Sequence, residues 1–283
     1  MQGLDLHAAS AHALLQRFRF APDARLDDLM LSWASDGGGV GPHLDSYDVF
    51  LIQVEGRRRW RVGRVADPAW LEDAPLKILR RFEPEHDWLL EPGDLLYLPP
   101  RWGHDGIAAG ECMTASVGFR APASQALARE LLQRLADGDD DTGALYRDPR
   151  QPATRQPAAV PAELAAFATQ ALRRALAEPR AVARALGEVL SEPKPRVWFE
   201  AGAALSHGAG IVLDAKTRLL YDAHHLFVNG EAFVAGGRDA RLMRRLADER
   251  CLAARDVAAL SADARALVDE WARSGWLHGE PGR

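Results

Sequence analysis

Residues 37–64 read GGGVGPHLDSYDVFLIQVEGRRRWRVGR, and residues 94–104 read DLLYLPPRWGH. The first stretch sets a histidine and an acid two apart, His43 and Asp45, directly after a run of glycines. In an extended strand, residues two apart point to the same face, so both side chains can aim at one ion. One imidazole and one carboxylate supply two members of a two-histidine, one-carboxylate triad, which leaves positions on an octahedral metal open. Alone the pair is weak, because a surface histidine and a loop acid look the same. His104 is the third candidate: it follows a Pro92-Gly93 turn, the apolar stretch Asp94–Leu98 and a Pro99-Pro100 bend, and in a jelly roll such a strand returns beside the first. The other histidines are less well placed. His86 lies in a charged connecting stretch, His207 in a Gly-Ala loop, and His224 and His225 beside a hairpin in the last third.

A cation near such a site pairs the far carboxylate of a dicarboxylate cosubstrate, and a forked guanidinium does this well. Val54-Glu55-Gly56 reads as a hairpin turn, and Arg58 stands on the strand that pairs back after it. Alternation turns Arg57 and Arg59 the other way, onto a solvated strand face.

The surrounding texture sets the fold. Short alternating stretches at Leu26–Trp33, Asp48–Val54, Arg59–Val62, Trp88–Leu90, Asp94–Leu98 and Thr114–Phe119, broken by Gly and Pro turns, predict a double-sheet barrel or jelly roll after a helix around Ala11–Phe18. Beyond Pro122 the apolar positions move to helical spacing. Leu127, Leu131, Leu132 and Leu135 line one face; a loop is expected over Asp137–Pro161, then helices over Pro161–Ala177 and Pro179–Leu190. The last third predicts strands near Gly210–Leu213, Arg218–Tyr221 and His225–Val228, an Asn229-Gly230 hairpin, helices over Asp239–Arg250 and Ala262–Ser274 with Ser261 or Asp263 as cap, and a final strand Trp276–His278. That mixture suggests a winged-helix-like module.

Bulk properties narrow the class. The 283 residues, 47% of them hydrophobic, can bury a sizeable core, and a net charge of −5 argues against a global cationic field for nucleic acid. Cys112 and Cys251 form no zinc or disulfide spacing, and no apolar run approaches the roughly 18 residues that span a bilayer. These features predict a cytoplasmic protein without membrane contact. The arginines of the last third (Arg238, Arg241, Arg244, Arg245, Arg250) are interleaved with Asp239, Asp248 and Glu249, so direct nucleic-acid binding is not expected.

The run from Gly37 to Gly63, the segment EPGDLLYLPPRWGHDG and the segment SVGFRAP resemble the bacterial JmjC-domain ribosomal oxygenases of the YcfD type, cupin-superfamily hydroxylases of an arginine on ribosomal protein L16. The resemblance spans about Leu26 to Pro122. It implies an α+β chain of a JmjC/cupin jelly roll (residues 1–122), a helical dimerisation region (123–193) and a winged-helix-like domain (194–283). The jelly roll reads short at its N-terminal part, since the family carries a further stretch there that completes the barrel. It also implies Fe(II) held by His43, Asp45 and His104, 2-oxoglutarate and O2 as cosubstrates, Arg58 as carboxylate anchor with Ser116 in the same pocket, release of succinate and CO2, and a homodimer. Asp36 and Tyr47 are the expected substrate-binding residues, Asp36 having ordinary turn chemistry as its alternative. Asp48 and Asp105 are further acids for a guanidinium, and Trp102 is a stacking residue or wall packing. Two alternatives stay open: a JmjC histidine hydroxylase of another ribosomal protein, and a non-catalytic cupin-like regulator that binds nucleic acid.

Overall fold

The computed structural model describes residues 1–136, 145–149, 152–206, 208–234 and 236–280. The chain divides into two compact units, Met1–Ala121 and Pro122–Arg283. The first begins with a 3-10 turn, Leu4–Leu6, and helix α1 (Ala9–Gln16), followed by strands β1 (Leu26–Ala34), β2 (His43–Leu44), β3 (Val49–Arg64), β4 (His86–Leu90), β5 (Leu95–Leu98) and β6 (Trp102–Phe119). They form one antiparallel sheet in the order β1-β6-β3-β4, with β2 added on β6 and β5 on β3.

Two long strands, β3 and β6, organise this unit, and both bend where their pairing slips, between Gln53 and Arg57 on β3. Below the bend Val49 and Leu51 face inward; above it Trp60 and Val62 do, and the two sets meet with Leu98 in one cluster. The sheet therefore folds over itself into a jelly roll. Its outer face packs Leu26, Leu29, Ala115, Val117 and Phe119 against Ala11, Leu15 and Phe18.

The bend corrects an expectation. Val54-Glu55-Gly56 is not a hairpin: β3 runs unbroken through it as a double irregularity. The Gln53 side chain, itself buried, supplies the reason, because its Nε2 donates to the carbonyls of Glu55 (2.8 Å) and Gly56 (3.3 Å) and so satisfies groups the ladder has dropped. The consequence is a change of phase. Without it, the inward set Val49, Leu51, Gln53 would continue to Arg57 and Arg59; with it, Arg58 is buried and its neighbours are exposed. Gly56 carries this shift at φ 63, and a Cβ there would lie 2.0 Å from the Glu111 carbonyl oxygen. Gly56→Ala is expected to cost more than about 2 kcal/mol, measurable by denaturant unfolding, and to weaken cosubstrate binding with it by misplacing Arg58.

A second correction concerns β6. The expected strand Thr114–Phe119 is only its end: pairing starts at Trp102, so His104 lies inside the strand. Its glycine-rich start, Trp102 to Met113, has little apolar alternation to reveal it. The two-residue β2 is likewise too short to read from sequence.

The second unit contains α2 (Ser124–Ala136), α3 (Ala162–Ala177), α4 (Ala181–Ser191), β7 (Ile211–Leu213), β8 (Leu219–Tyr221), β9 (His225–Val228), β10 (Glu231–Val234), α5 (Gly237–Glu249), β11 (Cys251–Leu252), α6 (Ala254–Ala258), α7 (Ala262–Arg273) and β12 (Leu277–Gly279). Strands β8, β9 and β10 form one small sheet, closed at Asn229-Gly230 by the expected hairpin; β7 lies between β11 and β12 in another. Ile211, Val228, Leu246, Val268, Trp271 and Leu277 form their common core, the arrangement of a winged helix. Ser261 caps α7, its Oγ accepting from the Ala264 amide at 3.2 Å. Of the loop expected over 137–161, residues 137–144, 150 and 151 lie outside the described residues; the remainder holds neither helix nor strand. No described helix is long and apolar enough to cross a membrane.

Candidate metal centre

Main-chain pairing builds the site. The glycine run extends alongside β6, with the Gly37 amide on the Ala108 carbonyl (2.9 Å) and the Ala108 amide on the Gly38 carbonyl (2.9 Å). It delivers β2 so that His43 stands directly opposite His104. The Arg101 amide donates to the Asp45 carbonyl at 2.7 Å and ties the next residues to the same end of β6. One ligand atom from each of His43, Asp45 and His104 then lies within 4.8 Å of the others. The Asp45 carboxylate is 3.7 Å from His104 Nε2, and the two imidazole centroids are 4.2 Å apart.

The tautomers follow from geometry. His43 Nδ1 is 2.8 Å from the Gly41 carbonyl oxygen, and His104 Nδ1 is 3.0 Å from that of Trp102. A carbonyl only accepts, so each Nδ1 carries a proton, and Nε2 is the atom each ring has left for a metal. Burial, and next the neighbouring His43, hold the His104 imidazole below its ordinary pKa, which keeps that atom available. Two imidazoles and one carboxylate are a donor set that fits a divalent first-row metal.

Arg58 faces the same interior. It is 6% exposed, lies over the Trp60 ring at 5.1 Å, and reaches the Gly106 carbonyl (Nη2, 3.2 Å) and Ser32 Oγ (Nη1, 3.4 Å), while its Nε has no partner. Desolvation pulls its pKa down, against smaller upward effects from Cys112 and Asp105. A buried guanidinium with an unused donor and no carboxylate bonded to it among the described residues is a receptor for an anion. Space for it comes from Gly106, where a Cβ would stand 2.7 Å from the Trp60 ring and 2.8 Å from Arg58 Nε. Gly106→Ala is expected to displace the guanidinium and cost about 1–3 kcal/mol, checked by thermal unfolding together with a cosubstrate titration.

The remaining candidates fall in different places. Ser116 faces inward but pairs with Leu51 and Met30, one row beyond Thr114; the serine that meets Arg58 is Ser32, which the sequence reading missed. Its signal was present as the polar residue on the inward phase of LDDLMLSWA, opposite Thr114. Asp36 is exposed and its Oδ1 accepts from the Gly110 amide at 2.7 Å, the turn chemistry offered as its alternative. Tyr47 packs on the inner cluster beside Asp45; burial, and next that acid, push its pKa up to about 12. Asp48 is occupied by Tyr97 (2.7 Å) and Arg25 (3.1 Å), and Asp105, alternating with His104, pairs with Arg61, so neither is a free acid at the site. Trp102 is wall packing.

Comparison with known proteins agrees with this architecture. The JmjC domain family matches residues 13–127 and the ROXA-like winged helix family residues 171–278. The chain is 37% identical over 242 residues to the ribosomal protein uL16 3-hydroxylase of Escherichia coli, covering 81% of this chain and 64% of that protein, so it spans less than two thirds of that relative's length. The X-ray structure of E. coli YcfD superposes with a TM-score of 0.84 at 30% identity, over 99% of this chain and 78% of that one. The chain belongs to the JmjC ribosomal oxygenase family. A further structure of that ribosomal oxygenase, in complex with cobalt and 2-oxoglutarate, matches at 30% identity with a TM-score of 0.80, over 99% of this chain and 77% of that one. Within the ribosomal oxygenase fold seen here, the metal candidates sit on β2, its following loop and β6, and the anion receptor on β3 and β1.

Proposed function

We propose that this chain is an iron(II)- and 2-oxoglutarate-dependent protein hydroxylase that acts on an arginine of a ribosomal protein of the uL16 (L16) type. The observation that carries the reading is the pairing, on one sheet face, of a two-imidazole, one-carboxylate cluster with a buried guanidinium that lacks an anion. His43, Asp45 and His104 hold the metal; Arg58 and Ser32, with Ser116 further along the same wall, hold the distal carboxylate of the cosubstrate. When bound, iron with 2-oxoglutarate and O2 supplies oxidation of an unactivated C–H bond, with release of succinate and CO2. The protein's own part is geometric. The carbonyls of Gly41 and Trp102 orient the two imidazoles, Tyr47 stands beside Asp45 as the residue assigned to the substrate side, and the buried inner cluster keeps water from the guanidinium. Asp36, at the exposed edge of β6, is the acid assigned to a substrate guanidinium.

The named relative, a ribosomal protein uL16 3-hydroxylase, supports a uL16-type substrate over another ribosomal protein, and the arginine is what the family resemblance implies. We divide the chain into an oxygenase domain (1–122), a helical dimerisation region (123–193) and the winged-helix-like domain (194–283). The exposed Leu164, Leu172 and Leu176 on α3 support a homodimer through that region. Against a nucleic-acid role, Arg245 pairs with Glu249 and Asp256, and Arg244 lies on Tyr221. A cytoplasmic location fits this substrate. Incubation with iron(II), 2-oxoglutarate and ribosomal-protein fragments is expected to add one oxygen to an arginine, located by tandem mass spectrometry. Oxidation only at histidine, or none on any arginine fragment, overturns the assignment.

A further inference from the structure

Strand β4 pairs with β3 so that His86 stands opposite Val62 and Trp88 opposite Trp60. On its other side β3 sets Val62 opposite His104 and Trp60 opposite Gly106. Directly opposed residues of antiparallel strands share a face. One row thus crosses the sheet as His43, His104, Val62, His86, and the next as Gly106, Trp60, Trp88. His86 and Trp88 therefore stand on the face that carries the metal candidates, two strand spacings or roughly 10 Å from His104.

Their rings are stacked, with centroids 4.8 Å apart and planes 10° from parallel. Trp60, in the middle of its row, is 5% exposed, whereas Trp88 at the end is 42% exposed. The charges around the pair are turned away or spent: Asp87 points to the opposite face and pairs with Arg59, and Glu85 pairs with Arg64. What faces solvent beside the buried cluster is a flat aromatic surface, the kind a bound polypeptide covers.

We propose that His86 and Trp88 form a wall of the substrate cleft that seats the polypeptide two or three residues from the target side chain. The interval follows from reach: an extended chain advances about 3.3 Å per residue, so roughly three residues span the distance from the row of His104. The flat rings suit a peptide plane, a proline or another apolar planar group in that position. The inference rests on the hydroxylase reading above and adds to it a determinant of which sequences are accepted.

The test compares a long ribosomal-protein fragment with one trimmed to the target residue and its immediate neighbours, in the wild type, Trp88→Ala and Trp88→Phe. The wild type is expected to show a lower KM for the long fragment; Trp88→Ala closes that gap, by up to about tenfold, through KM rather than kcat, and Trp88→Phe keeps most of it. A gap that persists in Trp88→Ala overturns the wall, as does a loss falling equally on both fragments. If the wild type oxidises neither fragment, the hydroxylase reading fails by itself. Equilibrium binding of the same two fragments, fluorescently labelled, then still decides: weaker binding of the long one alone by Trp88→Ala supports the wall, and equal binding by both proteins removes it.

Discussion

His43→Ala is expected to lower 2-oxoglutarate turnover by at least about 100-fold, because loss of a ligand exceeds the 10–100-fold cost typical of losing only its outer-shell partner. The same change leaves the fold in place. His43 is half-buried, and its interactions are one hydrogen bond to the Gly41 carbonyl and ring contact with His104. Neither belongs to the inner or outer apolar cluster that holds the sheet together. The other two candidates would respond differently. His104 is 3% exposed near the start of β6, so its truncation opens a cavity as well as removing a ligand, and the Asp45 carboxylate also bears on the neighbouring Tyr47 hydroxyl. His43 is therefore the position at which metal chemistry separates from stability. Succinate release, bound iron and far-UV circular dichroism measured on one preparation make the separation visible. Full turnover in this variant, with native iron content, would remove the metal assignment.

How far these features could be read beforehand depends on whether their cause is local. The His43 and Asp45 pair was legible from its spacing of two residues, although Asp45 lies in the loop just after β2 and is brought to His43 by the tie of its carbonyl to the Arg101 amide as well as by chain direction. The helices α1, α3, α4, α5 and α7 and the Asn229-Gly230 hairpin were legible for the same reason: apolar spacing and turn chemistry are written within a few residues. The bend in β3 was not. Gly56 suggests a turn as readily as a bulge, and only the long-range presence of β6, with the Glu111 carbonyl against it and Gln53 pairing with Thr114, makes it a bulge. Arg58 was assigned the right face through the wrong device, since a hairpin and a phase-shifting bulge both reset alternation. Ser32 left only a polar residue in an apolar strand as its signal, and such a serine acquires meaning only when a guanidinium arrives from another strand. The exposed Trp88 belongs to this class too, because its place beside the metal candidates is set by the β3–β4 register and by no nearby residue.

Arg58 gives the sharpest separation of function from stability. Its charge is buried, its Nε is unused, and its visible partners are a carbonyl and a hydroxyl, so in the absence of the cosubstrate it carries a desolvation cost that nothing fully repays. Methionine has similar length, can lie against the Trp60 ring through its sulfur, and brings no charge. Replacing a buried charged group with a well-packed apolar one is often neutral or stabilising, by about 1–4 kcal/mol. Arg58→Met is therefore expected to leave the metal-free protein as stable as the wild type or to raise its melting temperature, while the KM for 2-oxoglutarate rises by about 100-fold or more through loss of the charge-assisted fork. Arg58→Lys should lie between: it keeps a positive charge but presents a point donor in place of a planar pair, and its shorter reach draws it away from Ser32. The opposite pattern, a falling melting temperature with an unchanged KM, would mean that the guanidinium clamps Gly106 and Ser32 for the sake of the fold and that the cosubstrate is anchored elsewhere. A rise in melting temperature that 2-oxoglutarate produces in the wild type but not in Arg58→Met would show directly that the desolvation cost of this side chain is offset by the carboxylate it receives.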